Sequence, residues 1–274
     1  YYAHDYCREY IELRMYEMFT VAPGRTIEEI IRRASEDESA LYDYGLSISD
    51  NVLATHRFLA KQPQETIDEM ARTFVNGFID SFETMRIDRA PKKTVSFDTF
   101  FGFERVTARA IDFFREEGLE PLLFLFSNLL VNSSAFLDRG MAGPSINRQY
   151  GYDHRKNYLL ILQRPMIEEI MESTTENLER YKDVNEAYAG IAVQEIFGEP
   201  DIKFVNKRAV PAFKGRSGDF FDELRVRVSD LYDKYRPSEK YTFTIIAYPV
   251  PSIGPRFEEV FRETIACNNL SNAK

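Results

Sequence analysis

Within Lys93–Ser127 the chain reads strand, helix, glycine, strand, and that order admits few folds. Lys93–Thr99 (KTVSFDT) alternates as a strand does, and Phe103–Glu117 repeats Phe103, Val106, Ala110, Ile111 and Phe114 at helical spacing. Gly118 follows where a helix C-terminus favours a residue tolerant of positive φ. Pro121–Ser127 (PLLFLFS) is a continuous apolar run, the pattern of a strand covered on both faces. Strands joined through a helix in so short a span form a βαβ unit, which is parallel and right-handed.

The remaining chain extends the alternation. Asn157–Gln163 (NYLLILQ) reads as a third strand, Pro165–Tyr181 and Gly218–Tyr235 as helices, Tyr241–Tyr248 as the last strand and Arg256–Ala266 as the last helix. Phe243, Ile245, Ile246 and Ala247 predict that the last strand is buried on both faces. It stops at Pro249 and Pro251 and turns through Gly254-Pro255. Ligands of open α/β sheets lie beyond the carboxyl ends of strands, so Pro249 and Pro251 are candidates to face a substrate or partner.

Before Lys92 the pattern is helical. Cys7, Tyr10, Ile11, Met15 and Met18 share one stripe, Thr26–Ala34 opens with a Thr26/Glu29 capping box, and Gln64–Met85 carries an apolar stripe from Ile67 to Met85. The expected fold is α/β, a three-layer sandwich with a mostly parallel sheet preceded by an α-helical segment. The expected division is residues 1–90, helical, and 91–274, an α/β domain of a larger protein. Asn132–Arg155 and Asp201–Ser217 read as long loops.

Composition removes some functions. A net charge of −9, with basic residues interleaved among acids, argues against nucleic acid as a partner. No apolar run approaches the roughly 18 residues of a membrane span, so no membrane role is expected. Cys7 and Cys267 lack CxxC spacing, which points to a reducing, cytoplasmic setting. The 22 Phe and 16 Tyr, with no Trp, suit an aromatic core, an aromatic-lined groove being the other reading.

Motifs for chemistry are sparse. The 3 histidines, His4, His56 and His154, have no metal-ligand spacing. Ser127, Ser133 and Ser134 sit in no nucleophile elbow. Glu116-Glu117, Glu168-Glu169 and Glu258-Glu259 read as solvated helix faces, and Gly215–Gly218 as a helix start, with Ser217 or Asp219 as N-cap, rather than a phosphate loop. Phe101–Glu104 is no dinucleotide fingerprint. One loop is richer: Arg148, Tyr150, Asp153 and His154 place a carboxylate beside an imidazole ahead of a buried strand. They could orient a ligand at the sheet edge, or Asp153 and Arg148 could simply tie the loop down.

Three segments, KKTVSFDTFFGFERVTARAIDFFREEGLEP, NRQYGYDHRKNYLLIL and YTFTIIAYPVPSIGPRFEEVF, resemble the leucyl aminopeptidase / aminopeptidase T-like metallo-aminopeptidases of bacteria, over roughly residues 50–270. The resemblance implies a bipartite hydrolase whose C-terminal portion holds a pair of divalent metals. No position here matches a family metal ligand, and the chain, which starts at Tyr1, reads as the leading piece of a longer protein. The expectation is a chain without a metal site or catalytic residues of its own, inactive alone. Its partners would be the C-terminal metal-binding domain of the same protein and a second copy, as a homo-oligomer. The other expectation is a stand-alone α/β binding or assembly module.

Overall fold

The computed structural model describes residues 5–123, 149, 152–153, 162–199, 201–207 and 216–269. Its centre is a sheet of β1 (Thr94–Asp98), β2 (Glu120–Leu122), β3 (Tyr188–Phe197) and β4 (Thr242–Pro249). The four strands lie in the order β2-β1-β3-β4, and every pairing is parallel. Among the described residues, five α-helices precede or follow β1 before β2 is reached: α1 (Cys7–Phe19), α2 (Val21–Ala34), α3 (Asp50–Ala60), α4 (Gln64–Met85) and α5 (Glu104–Glu116). The later helices are α6 (Arg164–Arg180), α7 (Lys182–Glu186), α8 (Arg216–Tyr235) and α9 (Phe257–Asn268). The architecture is therefore α/β with an all-parallel sheet preceded by helices. None of the described helices is long and apolar enough to cross a membrane.

The βαβ unit forms as its residues dictate. Gly118, at φ 76°, closes α5. Its N–H donates to the Arg115 carbonyl at 2.9 Å, and the Leu119 N–H donates to the Phe114 carbonyl at 2.8 Å. That pair is a Schellman closure, and it aims the chain straight into β2. Side chains alternate along β1, so Val95 and Phe97 face one side and Ser96 and Asp98 the other. The first side meets α4, α5 and α9 in one core that also takes in Ala192, Ile246 and Tyr248.

Aromatic residues fill this core. The Phe97 ring stands 5.6 Å from Phe114 and 5.4 Å from Phe74, and Phe261 contacts Phe58, Phe103, Phe257 and Tyr248. Stacked, tilted and edge-to-face pairs of this kind add about 0.5–1.5 kcal/mol each beyond the area they bury. A second apolar cluster joins Cys7, Ile11, Met15 and Met18 of α1 to Ile167, Ile170 and Leu178 of α6 and to Leu224 and Val228 of α8. The stripe read on α1 is thus an interior face.

Several expectations change. β4 is not covered on both faces: Phe243 is 50% and Ile245 57% exposed. It is the edge strand of the described sheet, and α4 and α9 cover only its Ile246/Tyr248 side. Thr26 is not an N-cap, because α2 begins at Val21 with Thr20 ahead of it and Thr26 falls in its interior. A strand unmarked by the sequence pattern, β3, lies between β1 and β4. The strand expected at Asn157–Gln163 falls mostly outside the described residues, and Leu162 and Gln163 are irregular.

A candidate functional site at the carboxyl edge of the sheet

Strand order decides where a ligand can lie. From β1 the chain moves outward to β2, while from β3 it moves outward in the other direction to β4. The order therefore reverses between β1 and β3, and in open parallel sheets ligands enter at the carboxyl side of such a switch point. Asp98, 6% exposed, is the last residue of β1 and pairs in register with Val193 of β3.

Just past it, on the α5-covered face of the sheet that Asp98 points away from, the core turns polar. Thr99 is fully buried, its hydroxyl 3.0 Å from that of Thr107 on α5 and donating to Gln194 Oε1 at 3.1 Å. Gln194, 2% exposed on β3, keeps an amide nitrogen without a hydrogen-bond partner among the described residues. Such a group is usually satisfied, so its occurrence at the switch point marks a place where packing does not explain the residue.

The loop after β1 is built around a second acid. Gly102, at φ 96°, donates its N–H to both carboxylate oxygens of Glu104, at 2.9 and 3.1 Å. A Cβ on Gly102 would come within 2.8 Å of the Val52 carbonyl, so the turn sits hard against α3. Glu104 is fully enclosed, and burial pushes its carboxyl up to about 7. With no exposed surface, it anchors the start of α5 rather than meeting a substrate.

Pro249 is buried at the end of β4, and Pro251 opens a short 3₁₀ turn, Pro251–Ile253. That turn is pinned: Ser252 N–H donates to Asn51 Oδ1 at 3.1 Å, and its hydroxyl donates to the Gly198 carbonyl at 3.1 Å. Asp153 is 8% exposed and accepts from Gln149 Nε2 and Lys207 Nζ, both at 2.6 Å. Tyr152 stacks on Phe204 at 4.5 Å and donates to Asn206 Oδ1 at 2.7 Å. These contacts, with the Val205 N–H donating to Gln149 Oε1 at 3.0 Å, tie Gln149, Tyr152 and Asp153 to residues 204–207. Arg148, Tyr150 and His154 lie outside the described residues.

Other candidates resolve into structure. Cys7 is buried, and burial and the nearby Glu169 raise its thiol to about 11, which makes it a poor nucleophile. The ring of His56 donates from Nε2 to the Ala34 carbonyl at 2.6 Å. Glu117, Glu168 and Glu258 form ion pairs with Arg89, Arg227 and Arg262 at 2.8, 2.8 and 3.0 Å. Among the described residues no group of three or more His, Cys, Asp or Glu side chains could hold a metal.

Comparison with protein-family models, curated proteins and solved structures gave no match. The metallo-aminopeptidase resemblance rests on the quoted segments alone. Sequence reasoning passed over Asp98 and Gln194. The one available signal was a carboxylate closing an apolar strand, Val95-Ser96-Phe97-Asp98.

Proposed function

We propose that the carboxyl edge of β1 and β3 is a catalytic crevice for a small-molecule substrate, with Asp98 as its working carboxylate. One coincidence supports this: the switch point of the sheet and a buried acid fall on the same residue. A carboxylate so placed suits attack on a phosphorus or acyl centre, or it can anchor a hydrated divalent cation delivered with a phosphate-bearing substrate. Both roles make the chain a hydrolase or group-transfer domain. The test compares wild type with Asp98→Asn on p-nitrophenyl phosphate and leucine p-nitroanilide, each with Mg²⁺ or Mn²⁺. Turnover of the phosphate ester should fall at least about 100-fold at unchanged melting temperature. Equal turnover by the two proteins sinks the assignment.

A second reading draws on the exposed Phe243 and Ile245 of the edge strand. Here the chain is the non-catalytic scaffold portion of a metal-dependent aminopeptidase, or an assembly module, and this apolar face meets another portion or copy. It predicts no turnover of either substrate by this chain. A longer polypeptide with a C-terminal metal-binding portion would hydrolyse leucine p-nitroanilide with added divalent metal, indifferent to Asp98→Asn.

A further inference from the structure

The opposite end of the sheet holds a cavity of about 220 Å³ with an unusual charge. Lys92, Lys182, Lys234, Arg236 and Lys240 line it against two acids, Glu179 and Glu186, in a chain whose net charge is −9. Lys92 stands just ahead of β1, Tyr188 opens β3 and Tyr241 precedes β4, so the cavity lies at the amino ends of the strands. Along β1 that is roughly 20 Å from Asp98 at the usual rise per residue.

Lys92 is the informative member. It is 8% exposed, and its Nζ donates to the Glu186 carbonyl at 3.2 Å. Among the described residues no carboxylate lies within ion-pair distance of it. Burial first, then the neighbouring Lys240, lower its pKa, and Asp88 only partly offsets them. A buried ammonium facing a second ammonium is unfavourable by itself, and it is retained where an anion completes the charge balance.

The other groups are set to help. Arg236 donates from Nε to Asn185 Oδ1 at 2.5 Å and stacks on Tyr188 at 3.9 Å and Phe19 at 4.5 Å, which fixes its guanidinium. Glu179 accepts from the Tyr235 hydroxyl at 2.8 Å, which occupies one of its oxygens. Its space, the volume of several waters, suits a phosphate or a short phosphorylated molecule. We propose that this cavity is an anion site for a phosphate group, separate from the carboxyl edge and able to stabilise the fold when filled.

Inorganic phosphate is the probe, titrated at constant ionic strength and followed by melting temperature and calorimetry. Wild type should show saturable, stoichiometric binding. Lys240→Ala should raise the dissociation constant about tenfold, the loss of one charge-assisted contact. Lys61→Ala, exposed and away from the cavity, should leave it unchanged. Lys92→Met should bind no phosphate while melting no lower than unliganded wild type. Absence of saturable binding, an unchanged constant for Lys240→Ala, or a destabilised Lys92→Met overturns the proposal.

Discussion

At Glu104 burial and charge oppose one another. The carboxyl has no exposure, its hydrogen bonds come from backbone N–H groups, and desolvation lifts its pKa from 4.5 to about 7. The fold therefore favours the protonated acid. That contribution is fully present below about pH 4.5, where the unfolded chain is also protonated, and it is lost as pH rises through about 7. The loss is on the order of 3 kcal/mol. Glu104→Gln cannot ionise and keeps an oxygen for the Gly102 N–H. Its melting temperature should fall less between pH 5 and pH 8 than that of wild type. Parallel curves for the two proteins would show that Glu104 is not the titrating group. None of this could be read from Phe101–Glu104, because the burial of Glu104 depends on Tyr44 and Val52, far away in sequence.

Among the elements, β1 and α5 follow from local pattern, since alternation, helical periodicity and Gly118 agree with the structure. β3 does not. Tyr188–Phe197 (YAGIAVQEIF) lacks a clean period because its first half is buried on both sides, and Gly190 reads as a breaker. In the sheet Gly190 has the opposite meaning. It sits at φ 137°, at a register shift opposite Thr94/Val95, and a Cβ there would fall 1.7 Å from the Thr242 carbonyl. Only glycine lets β3 and β4 approach. Gly190→Ala should cost about 4 kcal/mol, at the extreme of single substitutions. Urea unfolding would show it as a lower midpoint at unchanged slope. A midpoint equal to wild type would mean the strands part there without penalty.

For the molecule as a whole, one sheet face is closed by α4, α5 and α9, while Phe243 and Ile245 stand open on the edge strand. Edge strands bearing large apolar side chains are surfaces for pairing with another chain. If this protein self-associates, the double variant Phe243→Ser/Ile245→Thr should shift light scattering toward the monomer mass with unchanged far-UV circular dichroism. An unchanged mass places the contact elsewhere. The same global view separates the two candidate sites, since Asp98 belongs to the carboxyl ends of the strands and Lys92 to the amino ends.

Local order in the chain determined the fold class: βαβ periodicity, an apolar helix stripe in Gln64–Met85 and a glycine stop are properties of neighbouring residues, and short-range sterics and burial suffice to realise them. The tertiary structure alone decided strand order, and with it both sites. Thr99 and Gln194 meet because β3 crosses to pair with β1, and Lys92 meets Lys240 and Arg236 because three strands start side by side. Those neighbours are set by pairing between distant segments, and no spacing along the chain encodes it.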